Sequence, residues 1–359
     1  MDRIEWALNR CRLLQAIGGE LERTQPFAGV TIGTGIHLEP KTVALILTLQ
    51  RGGAELVSTG NLNTTQQEAC DYLAERGVRV VGGPTSDPSE HDRHLWEVVR
   101  ARPDLLLDNG GDLFVRYLEE PWDGLRGGTE ETTSGRMRLE PLREQLGGLP
   151  ILVINDSPIK QFVENEHAVG QSALESFMRI TNLSTNGKRV TVFGYGACGK
   201  GVAASFRNAY AIVSVVEVDP VKRLQALFDG FLVPEREEAL RTADVVITVT
   251  GARSSVVTAA DAPLLKPGAV LANAGHFPWE IQTEALTAAG ATVLEGGHMF
   301  NLAGPRPLGN SIESMDIGFA LQTRCLEAVA TDVVGAESCV VPVPRAIDEQ
   351  VASQFLQTA

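Results

Sequence analysis

Short runs of β-branched and aliphatic residues alternate along the chain with longer segments whose apolar residues recur every three or four positions. The runs predict buried strands, and the longer segments predict helices that bury one face. In the first half of the chain, strands are predicted at residues 30–37 (running into a loop), 54–58, 78–81, 105–107 and 151–154, and helices at 3–22, 40–50 and 65–76. This alternation predicts a parallel α/β sheet, because a helix usually carries the chain back between parallel strands.

Polar side chains collect where these strands end. They are His37, Asn61, Asp108, Asn109, Asp112 and Asn155. The carboxyl ends of parallel strands share one edge of a sheet, and ligands of open α/β sheets bind there. We therefore expect these residues to contribute to a ligand site.

The same alternation returns in the second half of the chain. Strands are predicted at residues 190–193, 212–216, 245–249 and 269–273, with a last strand from residue 293, and helices at 161–187 and 315–329. A strand-like segment at 339–343 and a short helix from Ile347 end the chain. The predicted fold class is α/β, with two doubly wound parallel-sheet domains.

A glycine-rich turn follows the strand at 190–193. Gly194, Gly196 and Gly199 have G-x-G-x-x-G spacing, and Glu217 lies at the end of the next strand. The glycines permit a tight turn, the approach of a pyrophosphate and close packing of the helix, while a carboxylate accepts hydrogen bonds from ribose hydroxyls and repels a 2′-phosphate. Glycine turns also occur in ordinary α/β units, but the complete strand–turn–helix–strand unit ending in Glu217 predicts NAD as the cofactor.

The order of the elements predicts that one domain is inserted into the other. We assign residues 1–165 and 312–346 to a substrate-binding domain, residues 166–311 to an NAD-binding Rossmann domain, and residues 347–359 to a short C-terminal segment. The chain would cross between the domains near residues 157–170 and 310–316, and both crossings are candidate hinges.

Composition narrows the range of partners. The 359 residues favour two domains, and the net charge of −14 argues against a nucleic acid, whose phosphates bind basic surfaces. Without an apolar run of membrane-spanning length or a signal peptide, no membrane association and a cytoplasmic location are expected. The five cysteines are scattered without C-x-x-C spacing, which indicates reduced thiols and neither a disulfide framework nor a metal site.

Several motifs together resemble the S-adenosylhomocysteine hydrolases (adenosylhomocysteinases). They are Asn155-Asp-Ser-Pro-Ile-Lys160 with Glu164-Asn165 and Gly170-Gln-Ser172, Gly194-Tyr-Gly-Ala-Cys-Gly-Lys-Gly201, Glu217-Val-Asp-Pro220, Asn273-Ala-Gly-His-Phe277, Asp108-Asn-Gly-Gly-Asp112, Glu130 to Thr133, and Asn301-Leu302. The likeness covers nearly the whole chain. It implies an NAD-dependent enzyme that acts on a small nucleoside and assembles as a homo-oligomer, a dimer or a tetramer.

The resemblance implies a redox cycle on the sugar. In this family the ribose 3′-hydroxyl is oxidised to a ketone by bound NAD, and the ketone acidifies the proton at the 4′ carbon. Homocysteine then leaves the 5′ carbon, water adds, and the ketone is reduced again. By resemblance Lys160 removes the 3′-hydroxyl proton, for which its pKa must be lowered by burial or by neighbouring cations.

The same resemblance assigns the other site residues. In the substrate site, Glu131 and Thr132 would hold the ribose hydroxyls, Asn165 with Glu164 would position the reacting sugar, His37 and His276 would flank its 5′ side, and Glu39, Lys41 and Asn310 would lie in the binding loops. In the cofactor site, Asp219, Thr250 and Asn301 would join the three glycines and Glu217.

The departures from the family pattern fall in the substrate site. Asn109 replaces an aspartate that serves proton transfers at the 4′ and 5′ carbons, and an amide is a poor proton acceptor. Glu39 and Lys41 stand where the family has Thr and Glu, the Glu at the adenine amino group, and lysine has donors only. Glu164 replaces an aspartate, Asn310 replaces the histidine of a G-H-P loop, and the family's lysine- and tyrosine-bearing tail has no counterpart in this sequence.

The retained oxidation residues and the altered pocket leave three hypotheses open. The first is a diverged enzyme that forms the 3′-ketone on a substrate of the S-adenosylhomocysteine or S-adenosylmethionine class and ends in epimerisation of a ribose carbon. The second is an ordinary adenosylhomocysteinase that releases adenosine and homocysteine. The third is a non-catalytic regulatory relative, which the retained Lys160, Glu131, Asn165 and His276 disfavour, because drift would not spare them preferentially.

Overall fold

The computed structural model describes residues 2–358 of the chain. The chain forms two compact units, one made of Met1–Gln161 and Ile312–Ala359 and the other of Phe162–Ser311. Each unit contains one parallel β-sheet flanked by helices. The predicted α/β class is therefore confirmed, and the second unit interrupts the first in sequence.

The helices are numbered in chain order. They are α1 Arg3–Arg10, α2 Arg12–Thr24, α3 Pro40–Arg51, α4 Gln67–Ala74, α5 Pro88–Arg100, α6 Asp112–Glu119, α7 Thr133–Leu139, α8 Val169–Thr181, α9 Ala197–Asn208, α10 Pro220–Phe228, α11 Arg236–Thr242, α12 Thr283–Ala288, α13 Ile312–Ala330 and α14 Arg345–Thr358. A π-helical segment, Lys160–Ala168, leads directly into α8.

The strands are numbered in the same way. They are β1 Thr31–Gly35, β2 Glu55–Thr59, β3 Arg79–Val80, β4 Leu105–Asp108, β5 Gly127–Glu130, β6 Ile151–Val153, β7 Arg189–Phe193, β8 Ile212–Val216, β9 Val245–Thr248, β10 Val270–Asn273, β11 Thr292–Val293 and β12 Val341–Pro342. The sheet of the first unit has the order β12-β6-β5-β4-β1-β2-β3, and the sheet of the second has the order β11-β10-β9-β7-β8.

The first unit buries its strands on both faces. Leu105, Leu106 and Leu107 of β4 have no exposed surface, as expected for a parallel strand covered by helices on both sides. Helix α13 packs against β4 and β5, whereas α5 packs against β1 and β2. The two segments of this unit that are far apart in sequence therefore share one core.

The second unit is a five-stranded sheet with its own core. Strand β7 lies between β8 and β9, and its apolar side chains pack with those of α8 and α9. Helices α8 and α9 approach closely through glycines: a Cβ on Gly170 would lie 2.3 Å from the carbonyl oxygen of Gly201. A Cβ on Gly201 would in turn lie 1.7 Å from the carbonyl oxygen of Glu166, in the segment before α8, so both positions require glycine.

Several elements differ from the sequence-based predictions. The single helix predicted at 3–22 is divided into α1 and α2. The Asp316 carboxylate accepts hydrogen bonds from the backbone N–H groups of Leu13 and Leu14 at 2.8 and 2.9 Å, in the first turn of α2. Strand β5 was not predicted. The last strand, predicted from residue 293, is only Thr292–Val293 before the chain turns.

The domain boundaries also differ from those predicted. The first unit ends at Gln161 instead of residue 165, so Glu164 and Asn165 fall in the second unit. The segment 347–359 was predicted to stand apart, but α14 packs against α13 and α2 and belongs to the first unit. Within residues 2–358, none of the helices is both long and apolar enough to cross a membrane.

The glycine contact between α8 and α9 predicts a stability effect. We expect Gly170→Ala to lower the free energy of unfolding of the second unit by about 1–3 kcal/mol, because the added methyl would collide with backbone that cannot turn aside. Chemical denaturation followed by circular dichroism measures this change.

Gly19→Ala is the matched control. Gly19 also lies inside a helix, but the nearest atom to a Cβ there is 3.9 Å away. Alanine should therefore be neutral or stabilising by about 0.5–1 kcal/mol. Equal effects of the two substitutions would contradict the proposed close packing of α8 on α9.

Candidate active site

The ends of neighbouring strands meet along one edge of the first sheet. Gly35 at the end of β1 pairs with Thr59 of β2 and with Asp108 of β4, and Asp108 pairs with Glu130 of β5. The residues that follow these paired ends are brought together along that edge. They include His37, Asn61, Asn109 and Glu131.

A buried chain of polar side chains runs along this edge. The Lys160 ammonium lies 2.9 Å from Oε1 of Glu131, and Oε2 of Glu131 accepts a hydrogen bond from Nδ2 of Asn109 at 3.0 Å. Asn61 in turn donates to Oδ1 of Asn109 at 3.1 Å. Lys160, Glu131 and Asn109 are only 6%, 7% and 4% exposed. The four side chains thus form one hydrogen-bonded series.

The charge state of Glu131 follows from this series. Burial raises the pKa of the carboxyl, but the Lys160 ammonium, His37 and the Asn109 amide outweigh burial and hold the pKa below its ordinary value. Glu131 is therefore a carboxylate at neutral pH. The resemblance led us to expect burial or cations around Lys160, and the structure buries Lys160 beside the Glu131 carboxylate.

Two further buried carboxyl groups, Asp108 and Glu130, shape the loops beside the series. Asp108 accepts from the backbone of Leu113 at 2.9 Å, and Glu130 accepts from the backbone of Gly110 and Gly111 at 3.0 and 2.9 Å. Burial raises the pKa of Asp108 to about 7 and raises the pKa of Glu130 as well. Their oxygens hold backbone in place, which indicates a structural role.

His37 and the start of α3 form another part of the edge. Nδ1 of His37 lies 2.6 Å from the Thr64 hydroxyl, and the Thr42 hydroxyl donates to the His37 carbonyl at 2.6 Å. Glu39 and Lys41 form an ion pair of 2.8 Å in which both residues are more than nine-tenths buried. The two residues that depart from the family pattern here therefore contact each other.

Thr132 has a different set of partners from the predicted one. Its hydroxyl donates to Glu130 at 2.7 Å and accepts from the Gly135 backbone at 2.8 Å, which caps the start of α7. A second hydroxyl, that of Ser134, lies 3.0 Å away. Contact with a ribose hydroxyl would have to compete with these bonds, so the substrate role of Thr132 stays a prediction.

The second unit contains the glycine turn between β7 and α9. Gly194 has φ +100°, and a Cβ on Gly199 would lie 2.1 Å from the Gly194 carbonyl oxygen, so both positions require glycine. A Cβ on Gly196 would meet no atom within 4 Å, which leaves open space over the start of α9. This space above a helix N-terminus fits a pyrophosphate.

Glu217 and Asp219 organise the end of β8. One oxygen of Glu217 accepts from the Tyr195 backbone at 2.7 Å, and the other accepts from Val218 and Asp219 at 2.7 and 3.1 Å. Asp219 itself caps α10 through the Val221 backbone at 2.8 Å. Glu217 thus lies against the glycine turn, where a ribose would be recognised, whereas the contacts of Asp219 are those of a helix cap.

Glu280 is a buried carboxyl group beside the predicted cofactor residue Thr250, and the sequence analysis did not single it out. It has no exposed surface, and its carboxylate accepts from the hydroxyl and backbone of Thr250 at 2.7 and 3.0 Å and from the Gly251 backbone at 2.8 Å. Burial raises the pKa of this carboxyl. Its position three residues after Phe277 gave no signal, because its partners lie near the end of β9, some 30 residues earlier.

A polar cluster around Ser172 brings three predicted segments together. Nδ2 of Asn301 donates to the Ser172 hydroxyl at 3.1 Å, and that hydroxyl lies 3.3 Å from Oδ1 of Asn310. Asn301 is 4% exposed, yet its Oδ1 has no hydrogen-bond partner among the described residues. A buried acceptor without a donor, in the same unit as the glycine turn, fits a bound group that brings its own donors, and the unit as a whole fits NAD.

The remaining predicted residues are divided between the two units. The π-helical segment Lys160–Ala168 carries Lys160 in the first unit and Glu164 and Asn165 in the second, and Glu164 is 2% exposed. π-Helical turns are rare and often occur at functional sites. His276 follows β10 and its ring packs edge-on against Phe277 with centroids 4.9 Å apart.

Comparison with known proteins identifies the family. The model described as "S-adenosyl-L-homocysteine hydrolase" matches residues 2–121, and that described as "S-adenosyl-L-homocysteine hydrolase, NAD binding domain" matches residues 165–296. An adenosylhomocysteinase of Thermotoga maritima is 39% identical over 99% of this chain and 94% of its own length. An S-inosyl-L-homocysteine hydrolase of Methanopyrus kandleri is 38% identical over 99% of this chain and 90% of its own length.

Solved structures add a likeness of fold alone. A dipicolinate synthase chain from Bacillus halodurans superposes with a TM-score of 0.56 at 15% identity, over 85% of this chain and 99% of that chain. The family models and relatives carry more weight, since they match in sequence across both units. The chain belongs to the S-adenosyl-L-homocysteine hydrolase family and is an NAD-dependent, adenosylhomocysteinase-like enzyme.

Proposed function

We propose that this enzyme oxidises the ribose 3′-hydroxyl of a nucleosidyl homocysteine transiently, releases homocysteine and returns the sugar to its original oxidation level. The observation that carries the proposal is the buried series Lys160–Glu131–Asn109 at the strand ends of the first unit. The relatives named above are hydrolases of two such thioethers. Bound NAD would supply the acceptor and donor of the hydride.

The buried pair of Lys160 and Glu131 would handle the hydroxyl proton. Loss of hydride from the 3′ carbon leaves a proton on the hydroxyl, which must move to a base as the ketone forms. A neutral Lys160 amine takes it directly, and a Glu131 carboxylate takes it when the lysine is already an ammonium. Because the two groups are 2.9 Å apart, a proton accepted by either one is shared by the pair.

The nucleobase would lie near the ion pair of Glu39 and Lys41, by resemblance to the family's adenine-contacting loop. Lysine presents N–H donors and no acceptor, which suits a carbonyl oxygen and opposes an amino group at the same position. We therefore propose a 6-oxopurine nucleoside, of the S-inosylhomocysteine type, as the preferred substrate. One of the two kinds of relative carries that name.

Epimerisation of a ribose carbon is the second candidate, and the contacts of Asn109 favour it. Its amide donates to Glu131 and accepts from Asn61, so both ends are engaged in hydrogen bonds and neither accepts a proton readily. If elimination is slow, the ketone persists. It is then reduced from the other face, which inverts the 3′ carbon, or the acidified 4′ carbon exchanges its proton with solvent and is reprotonated from the other side. The names of the relatives favour hydrolysis with release of homocysteine. The contacts of Asn109 favour a reaction in which homocysteine stays bonded to the 5′ carbon.

Lys160→Arg tests the proton role of the buried pair. Arginine keeps the positive charge beside Glu131 but does not deprotonate at accessible pH. We expect the reduction of bound NAD by substrate, followed at 340 nm, to fall by about 10²–10⁴-fold, as on loss of a general acid–base group. NAD content should stay unchanged. Lys222→Ala, an exposed lysine on α10, serves as the control, and a rate for Lys160→Arg near that of wild type would remove Lys160 from the proton transfer.

Substrate competition tests the nucleobase. Wild-type protein should prefer S-inosylhomocysteine to S-adenosylhomocysteine by at least about tenfold in kcat/KM, since an unmatched buried donor costs roughly 1–3 kcal/mol. The exchanged pair Glu39→Lys with Lys41→Glu keeps an ion pair and should shift the preference towards S-adenosylhomocysteine. An unchanged ratio in the exchanged pair would show that the base lies elsewhere.

Deuterated water separates hydrolysis from epimerisation. Free homocysteine supports hydrolysis, whereas deuterium in the sugar or an inverted sugar without homocysteine supports epimerisation. Asn109→Asp should raise homocysteine release or speed exchange at the 4′ carbon, because the new carboxyl beside Glu131 would be held partly protonated and could exchange protons. Asn109→Ala removes the amide without adding a carboxyl and should give no such gain; a gain in both variants would contradict the carboxyl mechanism.

A further inference from the structure

The C-terminal helix α14 reaches the segment that carries Lys160. Asp348 in the first turn of α14 is 5% exposed, and one of its oxygens accepts a hydrogen bond from the Ser157 hydroxyl at 2.5 Å. Ser157 has no exposed surface. The two residues are 191 positions apart in sequence, yet both belong to the first unit.

Ser157 is the cap of the helical turn that begins the Lys160 segment. Its backbone is extended, with φ −64° and ψ 131°, and Pro158 follows it at the first helical position. Its hydroxyl oxygen accepts from the Ile159 backbone at 3.1 Å and, more weakly, from the Lys160 backbone at 3.4 Å. Serine before proline is a typical helix start, in which the serine oxygen bonds the next free N–H groups.

The bond to Asp348 fixes which way the capping hydroxyl points. A hydroxyl has one proton and two lone pairs. The proton goes to Asp348, which leaves both lone pairs for the backbone of Ile159 and Lys160. Without the carboxylate, the hydroxyl is free to rotate and the cap weakens.

We propose that Asp348 is a positioning residue for Lys160, acting through the Ser157 cap. The series from α14 then runs from Asp348 through Ser157 to the Lys160 backbone, and from the Lys160 side chain to Glu131. This inference rests on the proposed function for the part played by Lys160 in proton transfer. It makes α14 a support of the active site in addition to part of the core.

Hydrogen–deuterium exchange, resolved to single residues, tests the geometric step without any substrate. Asp348→Ala and Ser157→Ala should each speed exchange of the Ile159 and Lys160 amides by roughly tenfold, because the capping bonds that protect these amides are weakened or lost. Asp348→Asn keeps an acceptor oxygen and should exchange nearly as wild type does. Glu349→Ala, which removes an exposed carboxylate paired with Arg345 on the same helix, is the matched control and should change nothing.

The rate of NAD reduction by S-inosylhomocysteine and by S-adenosylhomocysteine tests the consequence. Asp348→Ala should slow it about tenfold or more, since small displacements of a catalytic group are costly, with nucleoside affinity unchanged. Asp348→Asn should recover most of the rate. Combining Asp348→Ala with Ser157→Ala should add little beyond either change, because they interrupt the same series.

The outcomes separate the inference from the proposed function. Faster exchange in Asp348→Ala with no NAD reduction by wild-type protein would keep the positioning step and reject the proposed chemistry. Normal exchange at Ile159 and Lys160 in Asp348→Ala, or additive rate losses in the double variant, would overturn the inference. If Asp348→Ala does not fold, Asp348→Ser takes its place, because it stays polar but is too short to accept from Ser157. Exchange as fast as in Ser157→Ala then supports the inference, and exchange at the wild-type rate rejects it.

Discussion

The ion pair between Lys160 and Glu131 is the interaction on which the rest of the site depends. Both residues are more than nine-tenths buried, and taking two charges out of water is costly unless each finds good partners. The Lys160 ammonium and Glu131 are partners for each other, and Glu131 also accepts a hydrogen bond from Asn109. The Ser157 hydroxyl holds the Lys160 backbone and not its charge. Removing one member would leave a buried charge alone, which typically costs about 3–5 kcal/mol.

Buried carboxyl groups hold the surrounding loops in place. Asp108 and Glu130 bind loop backbone beside the series in the first unit, and Glu280 does the same for Thr250 and Gly251 in the second. Asp348 holds backbone in place indirectly, because it accepts a hydrogen bond from the Ser157 hydroxyl that caps the Lys160 turn. An acceptor with several lone pairs can fix several N–H groups at once, so a loop without regular structure still keeps one conformation. Such loops can then hold Glu131 in the first unit, and Thr250 with Gly251 in the second, each in a defined local conformation.

The sequence predicted well where the physical signal was local. Apolar runs located most strands, and the glycine spacing with Glu217 located the turn before α9. Strand β5 escaped prediction because Gly127 and Gly128 lack the side chains by which a strand is recognised, and a Cβ on Gly128 would lie 1.8 Å from the Leu106 carbonyl oxygen. Pairing with the neighbouring strand β4 therefore accounts for β5 better than the propensities of its own residues do.

Contacts distant in sequence account for the other differences. The partners of Glu280 and Asp348 lie roughly 30 and 191 residues away, so no spacing rule could identify them. Short polar side chains also serve two purposes: Thr132 and Asp219 match a substrate or cofactor motif, but in the structure each caps a helix. A motif gives the residue type at a position. Only the folded structure shows which hydrogen bonds that side chain already makes with the protein.

The most direct test of the account is a rapid-mixing measurement at 340 nm with S-inosylhomocysteine or S-adenosylhomocysteine deuterated at the 3′ carbon. The account predicts that absorbance rises and then decays within one turnover, and that the rise is slower with the 3′-deuterated substrate than with the unlabelled one. No rise with either nucleoside, or a rise whose rate is unaffected by deuterium at the 3′ carbon, would contradict oxidation at that position.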